Sequence, residues 1–145
     1  MVPKSNAKTR SPTTVPAWSS AKKTVSLIGG VAGNTDLAQI ADSHATEDIE
    51  FAILPGEFAV AENGAVWVTD TVVKHRAIYF IAQHLALVVS ASNLVSNMHE
   101  AYRRLSFESP RFGAFISGPS KTADIEQSLV IGAHGPRSMT VFVVG

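Results

Sequence analysis

Hydroxyl, glycine and charged residues crowd into one stretch, Phe115-Ile116-Ser117-Gly118-Pro119-Ser120-Lys121-Thr122-Ala123-Asp124-Ile125-Glu126. Its apolar start reads as a strand, and a helix is expected from Ala123 to about Ile131, with Ile125 and Leu129 inward. The first N–H groups of a helix lack intrahelical acceptors and sit at the positive dipole end, so this junction can hold an anion. The hydroxyls of Ser117, Ser120 and Thr122 would add donors. Against this, Asp124 and Glu126 fall in the first turn, where they complement the dipole and would repel a phosphate. Both a ligand loop and a plain Thr122 N-cap fit. The G-x-x-x-x-G-K-[ST] pattern is absent, which excludes that phosphate-binding loop.

Two further segments carry candidate chemistry. Ala61-Glu62-Asn63-Gly64-Ala65 lies between two β-rich runs, where Asn-Gly signals a tight hairpin. Glu62 there is either an exposed turn acid or a strand-end nucleophile or general base. His134-Gly135-Pro136 follows the expected helix, so His134 can cap carbonyls or act as an acid/base or anion-pairing group. His44, His75, His84 and His99 are widely spaced and form no local ligand pair, so no metal site is expected. Gly29-Gly30-Val31-Ala32-Gly33 departs from G-x-G-x-x-G and reads as a strand-to-helix turn.

The elements that must position these groups alternate in type. Thr24–Ile28 and Phe51–Leu54 read as strands, with a helix between them capped by Asn34 or Thr35 and running through Leu37, Ile40 and Ala41. Phe58–Ala61 and Ala65–Val68 form the hairpin arms. Ile78–Ile81 and Leu85–Val89 are strand candidates with Gln83-His84 as the turn. Ser92 or Asn93 is expected to cap a helix to about Leu105, with Leu94, Met98, Tyr102 and Leu105 on one face. Phe112–Ser117 and the apolar run Met139–Val144 complete the strands. This order predicts a layered α/β domain with a mixed, mostly parallel sheet.

The chain has 145 residues, 46% of them hydrophobic, enough for one packed domain. Its zero net charge conceals an uneven spread. Residues 1–23 hold Lys4, Lys8, Arg10, Lys22, Lys23 and no acid, which leaves 7 basic and 12 acidic residues for the rest. A flexible basic tail over residues 1–22 and a domain over 23–145 are expected. The acidic remainder lacks the positive footprint of a nucleic-acid binder. No apolar leader follows Met1, and Ile78–Val89 is shorter than the roughly 20 residues of a membrane helix, so a cytoplasmic protein without membrane insertion is expected. There is no Cys, which excludes disulfides and thiolate-held zinc or iron–sulfur centres in this sequence.

Three segments together resemble the lactate-utilisation domain (LUD) family, of the LutC or YkgG type. Ile116–Glu126 is similar to its I-S-G-P-S-[RK]-T-A-D-I-E, Gly132–Arg137 to its G-x-H-G-P-[RK], and Ala61–Ala65 to its A-E-T-G-T. His84–Val89 resembles the family's H-x-x-[VL]-V strand. The resemblance covers roughly Phe51 to Gly145. The middle motif reads Glu-Asn-Gly-Ala instead of Glu-Thr-Gly-Thr, and the part before Glu62 looks like a shortened version of the family's N-terminal half.

The resemblance implies a three-layer sandwich similar to the NagB/RpiA/CoA-transferase group. It implies Glu62, Asp124 and His134 as candidate catalytic groups, with Asn63, Gly64, Ser117, Gly118, Ser120, Lys121, Thr122 and Gly135 binding a small anionic metabolite. It further implies an accessory subunit in oxidation of L-lactate to pyruvate. No cofactor is expected in this chain, and iron–sulfur clusters are expected in partner subunits; self-association is left open. Two other readings share the fold: an enzyme of CoA-transferase or sugar-phosphate-isomerase type using Glu62, and a non-catalytic metabolite-binding module.

Overall fold

Four apolar runs pair side by side as parallel strands. The computed structural model describes residues 16–40, 46–73, 75–106, 111–123, 129–131 and 135–145. Strands β1 (Thr24–Ser26), β2 (Phe51–Pro55), β5 (His84–Ser90) and β10 (Ser138–Val144) form one sheet in the order β1-β2-β5-β10. Its register sets Thr24 opposite Phe51, Phe51 opposite His84, and His84 opposite Ser138. β2 and β5 are central and nearly continuous in apolar residues because both faces are covered.

Alternation along these strands sorts the core. Phe51, Ile53, Ala86, Val88 and Phe142 face one side and meet Ala17, Trp18 and Ala21. Helix α1 (Pro16–Ser20) supplies Trp18, whose ring stands edge-on to Phe51 with centroids 5.4 Å apart. Within the stretch expected as tail, Pro16–Ser20 is thus helical and packed, because Trp18 has Phe51 to cover; residues 1–15 lie outside the described residues. Ala52, Leu54, Leu85, Leu87 and Val89 face the other side and pack on Ala59, Val66, Val68, Ile78 and Tyr79.

That second side is covered by a further sheet. Strands β3 (Phe58–Val60), β4 (Val66–Thr69), β6 (Leu94–Val95) and β7 (Gly113–Ile116) run in the order β6-β3-β4-β7. The β3–β4 hairpin is as expected, antiparallel, with Phe58 opposite Trp67 and Gly64 at φ +69° in its turn. Phe58, Val60 and Ala65 point away from the parallel sheet, onto Ala101, Met98 and Leu105 of helix α3 (Met98–Arg104) and the residue after it. The layers run α1, parallel sheet, small sheet, α3. Eight of the strands are therefore divided between a fully parallel and a mixed sheet.

Four local expectations are corrected. Asn34 does not cap a helix: its Oδ1 accepts from the Thr24 N–H at 2.7 Å and its own N–H donates to Thr24 Oγ1 at 3.0 Å, finishing the β1 edge. The following segment is one 3₁₀ turn, Leu37–Gln39, capped by Asp36, which accepts from the Ala38 N–H at 2.9 Å; Ala41 lies outside the described residues. Ile78–Ile81 is a short helix, α2, that buries Ile78 and Tyr79 beneath the sheet. An apolar run of that length fits a buried helix as well as a strand. Leu94–Val95 leaves the expected helix to pair with Ala59 and Val60, so α3 starts later, with Asn97 as its cap. The helix expected from Ala123 to Ile131 is replaced at its described ends by strands β8 (Lys121–Ala123) and β9 (Leu129–Ile131), antiparallel, with Thr122 opposite Val130. β-Branched Thr122, Val130 and Ile131 suit extended pairing.

Candidate functional site

The small sheet gathers two of the sequence motifs at one end. β3 finishes there and leads into Glu62, β4 begins there, and β7 finishes there, just before Ser117. The antiparallel register sets Val66 opposite Ile116, which brings the residues just beyond them together. Ser117 Oγ donates to the Asn63 carbonyl at 2.9 Å, across 54 residues of sequence. Asn63 Oδ1 accepts from the Ala65 N–H at 3.0 Å, and the Gly64 N–H donates to the Val60 carbonyl at 2.9 Å, so the turn is fixed from within. Gly118 follows at φ +77°, a conformation that turns the chain away from β7.

Glu62 lies beside the start of α3. The parallel pairing of Val60 with Val95 carries Ser96–Met98 alongside Ala61 and Glu62, and the Ala61 N–H donates to the Val95 carbonyl at 2.9 Å. Glu62 Oε2 accepts from the Met98 N–H at 3.2 Å. Asn97 caps the same turn, accepting from the Glu100 N–H at 3.0 Å, and Glu100 accepts in return from the Ser96 N–H at 2.8 Å. An open cleft of about 640 Å³ is lined by Glu62, Asn63, Asn97, Met98 and His99. Glu62 Oε1 has no hydrogen-bond partner among the described residues. The arrangement offers an exposed carboxylate, oriented through one oxygen and free at the other, next to an imidazole and two amides. It can accept a proton or a hydrogen bond from a hydroxyl-bearing ligand, or attack as a nucleophile.

The third motif joins through the loop after β7. The Ser120 N–H donates to the Pro136 carbonyl at 2.8 Å, and Arg137 N–H donates to the Gln83 carbonyl at 2.7 Å. Gly135 is held tightly here: a Cβ on it would stand 2.9 Å from Ser120 Cβ and 3.2 Å from the Phe80 carbonyl oxygen. Ser117 and Ser120 are three residues apart, a span of at most about 11 Å, so one short loop links the Glu62 end to the Gly135 end.

Seven of the expected site residues are therefore placed: Glu62, Asn63, Gly64, Ser117 and Gly118 form one cluster, and Ser120 meets Gly135 in the other. Lys121 and Thr122 lie on β8, opposite Ile131 and Val130. Asp124 and His134 lie outside the described residues. With Ala123 extended in β8, the anion argument from a helix start directly after Thr122 no longer applies; the Gly118 turn and the two serines carry what remains of it. Asn97 and His99 were absent from the sequence-derived set. Their adjacency to Glu62 comes from β3–β6 pairing across 36 residues, for which the local sequence has no signal. Among the described residues, no three His, Asp or Glu side chains gather as a metal site, and no helix is long and apolar enough to cross a membrane.

These features define an α/β domain whose candidate ligand groups ride on the loops of a small second sheet. The LUD domain profile matches residues 10–144, and the chain belongs to that family. Relatives named lactate utilization protein C include those of Shouchella clausii, 35% identical over 103 residues, and Geobacillus thermodenitrificans, 34% identical over 106. The alignments take in 68% and 69% of this chain but 45% and 44% of those proteins, so the chain spans less than half the length of these relatives. A crystal structure of a DUF162 family protein from Deinococcus radiodurans shares the fold, with a TM-score of 0.61 over 86% of this chain and 76% of that one at 19% identity.

Proposed function

We propose that this chain serves lactate utilisation, as an accessory subunit in oxidation of L-lactate to pyruvate with iron–sulfur partner proteins in the cytoplasm. The observation that carries the reading is the Ser117–Asn63 junction, which unites the two family motifs around the exposed Glu62 in a chain similar to lactate utilization protein C. In this oxidation the C2–H and hydroxyl O–H bonds break, the carbonyl forms, and an electron pair leaves. With no Cys in this sequence, thiolate-bound clusters that take the electrons belong to the partners. The residues here bind and orient. Glu62 Oε1 accepts from the substrate hydroxyl, with Asp124 and His134 as further acid/base groups. The Ser117–Ser120 loop, Lys121 and Thr122 at the start of β8, and Asn63, Gly64 and Gly135 beside them bind the carboxylate, with the Lys121 ammonium and loop N–H groups as its donors.

The test is complementation. Deleting the gene abolishes growth on L-lactate, the wild-type chain restores it, and Glu62→Gln, folded and expressed equally, does not. The wild-type chain also co-purifies with iron–sulfur proteins. Unchanged growth on lactate after deletion sinks the proposal.

A further inference from the structure

A second cleft opens at the opposite end of the small sheet from Glu62. It is an open cleft of about 370 Å³, and its lining includes Glu57, Phe58, Trp67, Thr69, Asn93 and Arg104. β3 and β4 each run from one end to the other, so Thr69 and Glu57 are separated from the Glu62 turn by the length of the strands, on the order of 10 Å. Glu57 follows the carboxyl end of β2, and Asn93 follows that of β5. The carboxyl ends of parallel strands are where α/β folds bind ligands.

The charges in this cleft are tethered but not to each other. Arg104 lies over the Phe58 ring, 5.3 Å from its centroid, and its Nη2 donates to Asn93 Oδ1 at 3.1 Å. Glu57 Oε1 accepts from Thr69 Oγ1 at 3.1 Å. Among the described residues the one ion pair is Lys23 with Asp48, so Arg104 and Glu57 share a cleft without pairing. Each is held by a neutral neighbour, which leaves an exposed guanidinium and an exposed carboxylate in the lining of one cleft. A guanidinium fork matches a carboxylate, and Glu57 accepts from a hydroxyl or ammonium. A dianionic phosphate would meet Glu57 as a like charge. Trp67, only partly buried, gives the cleft an apolar wall.

We propose that this cleft binds a small monocarboxylate that carries a hydroxyl or ammonium donor near its carboxylate and an apolar side group for Trp67. The proposal does not depend on the lactate reading, since it concerns other residues at the other end of the sheet. Trp67 also reports on it. The chain has two Trp residues, and Trp18 lies on α1 against Phe51, so a Trp18→Phe chain confines fluorescence to the cleft.

In that background the probes are L-3-phenyllactate, L-phenylalanine and inorganic phosphate. We expect saturable quenching or enhancement by at least one of the two carboxylates and none by phosphate. Arg104→Ala is expected to weaken binding by about tenfold or more, and Arg104→Lys by less, because it keeps charge and loses the planar fork. Amide NMR of the bound wild-type chain is expected to show shifts at Thr69, Asn93 and Arg104. A preference for the ammonium ligand that Glu57→Gln abolishes assigns the donor as ammonium; a hydroxyl-ligand preference assigns hydroxyl. No saturable response to either carboxylate, equal binding by phosphate, shifts confined to Asn63 and His99, or unchanged affinity in a folded Arg104→Ala chain each overturns it.

Discussion

Gly113 should be intolerant of a single methyl group, for a reason that names its partner. A Cβ at 113 would lie 2.2 Å from Trp67 Cζ2, 2.5 Å from Cη2 and 3.2 Å from Cε2. Ordinary carbon contacts lie near 3.5–4.0 Å, so the indole would have to retreat by more than about 1 Å. It has little room. Phe115 packs on it at 4.8 Å between centroids and Phe58 stacks at 6.4 Å, with Phe58 itself 6.0 Å from Phe115. Overpacking of this kind costs about 1–3 kcal/mol, and at roughly 2–4 °C per kcal/mol Gly113→Ala should melt some 2–12 °C below wild type. The three crowded atoms all belong to the six-membered ring of the indole, which Phe at 67 would not place there. A double-mutant cycle of Gly113→Ala and Trp67→Phe, followed by urea unfolding with Trp18 as the fluorescent probe, therefore separates this contact from any backbone effect. The double mutant should recover about 1 kcal/mol or more relative to the sum of the singles. Strict additivity would falsify the assignment of the cost to the indole.

Three further outcomes follow from the same physics. Asn97→Ala removes the acceptor for the Glu100 N–H and should lower stability in urea by about 1 kcal/mol, while Asn97→Asp keeps it; equal losses in both would count against the cap. The Lys23 ammonium beside Asp48 holds its carboxyl below its ordinary value of 3.8, so the stabilisation it gives is present above that pH and is lost as pH falls through the lowered value. A carboxyl NMR titration of Asp48 should show its midpoint below 3.8, moving back up in Lys23→Ala. Burial, helped by the charge of Glu57, pushes the Tyr79 phenol well above its ordinary 10.0. Its contribution is complete below that pH and is lost as pH rises beyond it, so ultraviolet titration should show Tyr79 ionising only with unfolding.

Long apolar runs were legible because a strand packed on a core demands them: Phe51–Leu54 and Leu85–Val89 are buried on both faces, while the edge run Met139–Val144 leaves Val143 and Val144 half exposed. All three became strands of the parallel sheet, and Glu62-Asn63-Gly64 marked the hairpin of the small sheet. Short segments failed where tertiary pairing outweighed local preference. Leu94 shares helical spacing with Met98, Tyr102 and Leu105, yet β3 offers it an open edge, and the strand wins. Asn34 is a good cap by type, but the unpaired edge of β1 claims its amide. At the candidate site, residue types drew attention to Glu62 and the serine loop, and the structure joins Asn63 to Ser117. Distance in sequence hid the His99 side of the cleft, and the helix expected from Ala123 is not there, because Lys121–Ala123 is extended in β8.

The segment from Ser117 to Ser120 is what ties the two halves of the candidate site together, and its backbone shows how. Ser117 is anchored on the small sheet through Asn63, and Ser120 is anchored beside the parallel sheet through Pro136, two residues before β10. Between them stand Gly118, in a left-handed conformation, and Pro119, whose ring fixes its own φ. The loop is thus short, pinned at both ends and stiff at Pro119, and its one unusual backbone angle falls on the residue type that adopts it without steric cost. A ligand bridging the two ends would meet a preformed surface and would lose less ordering entropy on binding than it would against a free loop. The motif's order, serine then glycine then proline then serine, is in this sense a mechanical requirement of joining two sheets.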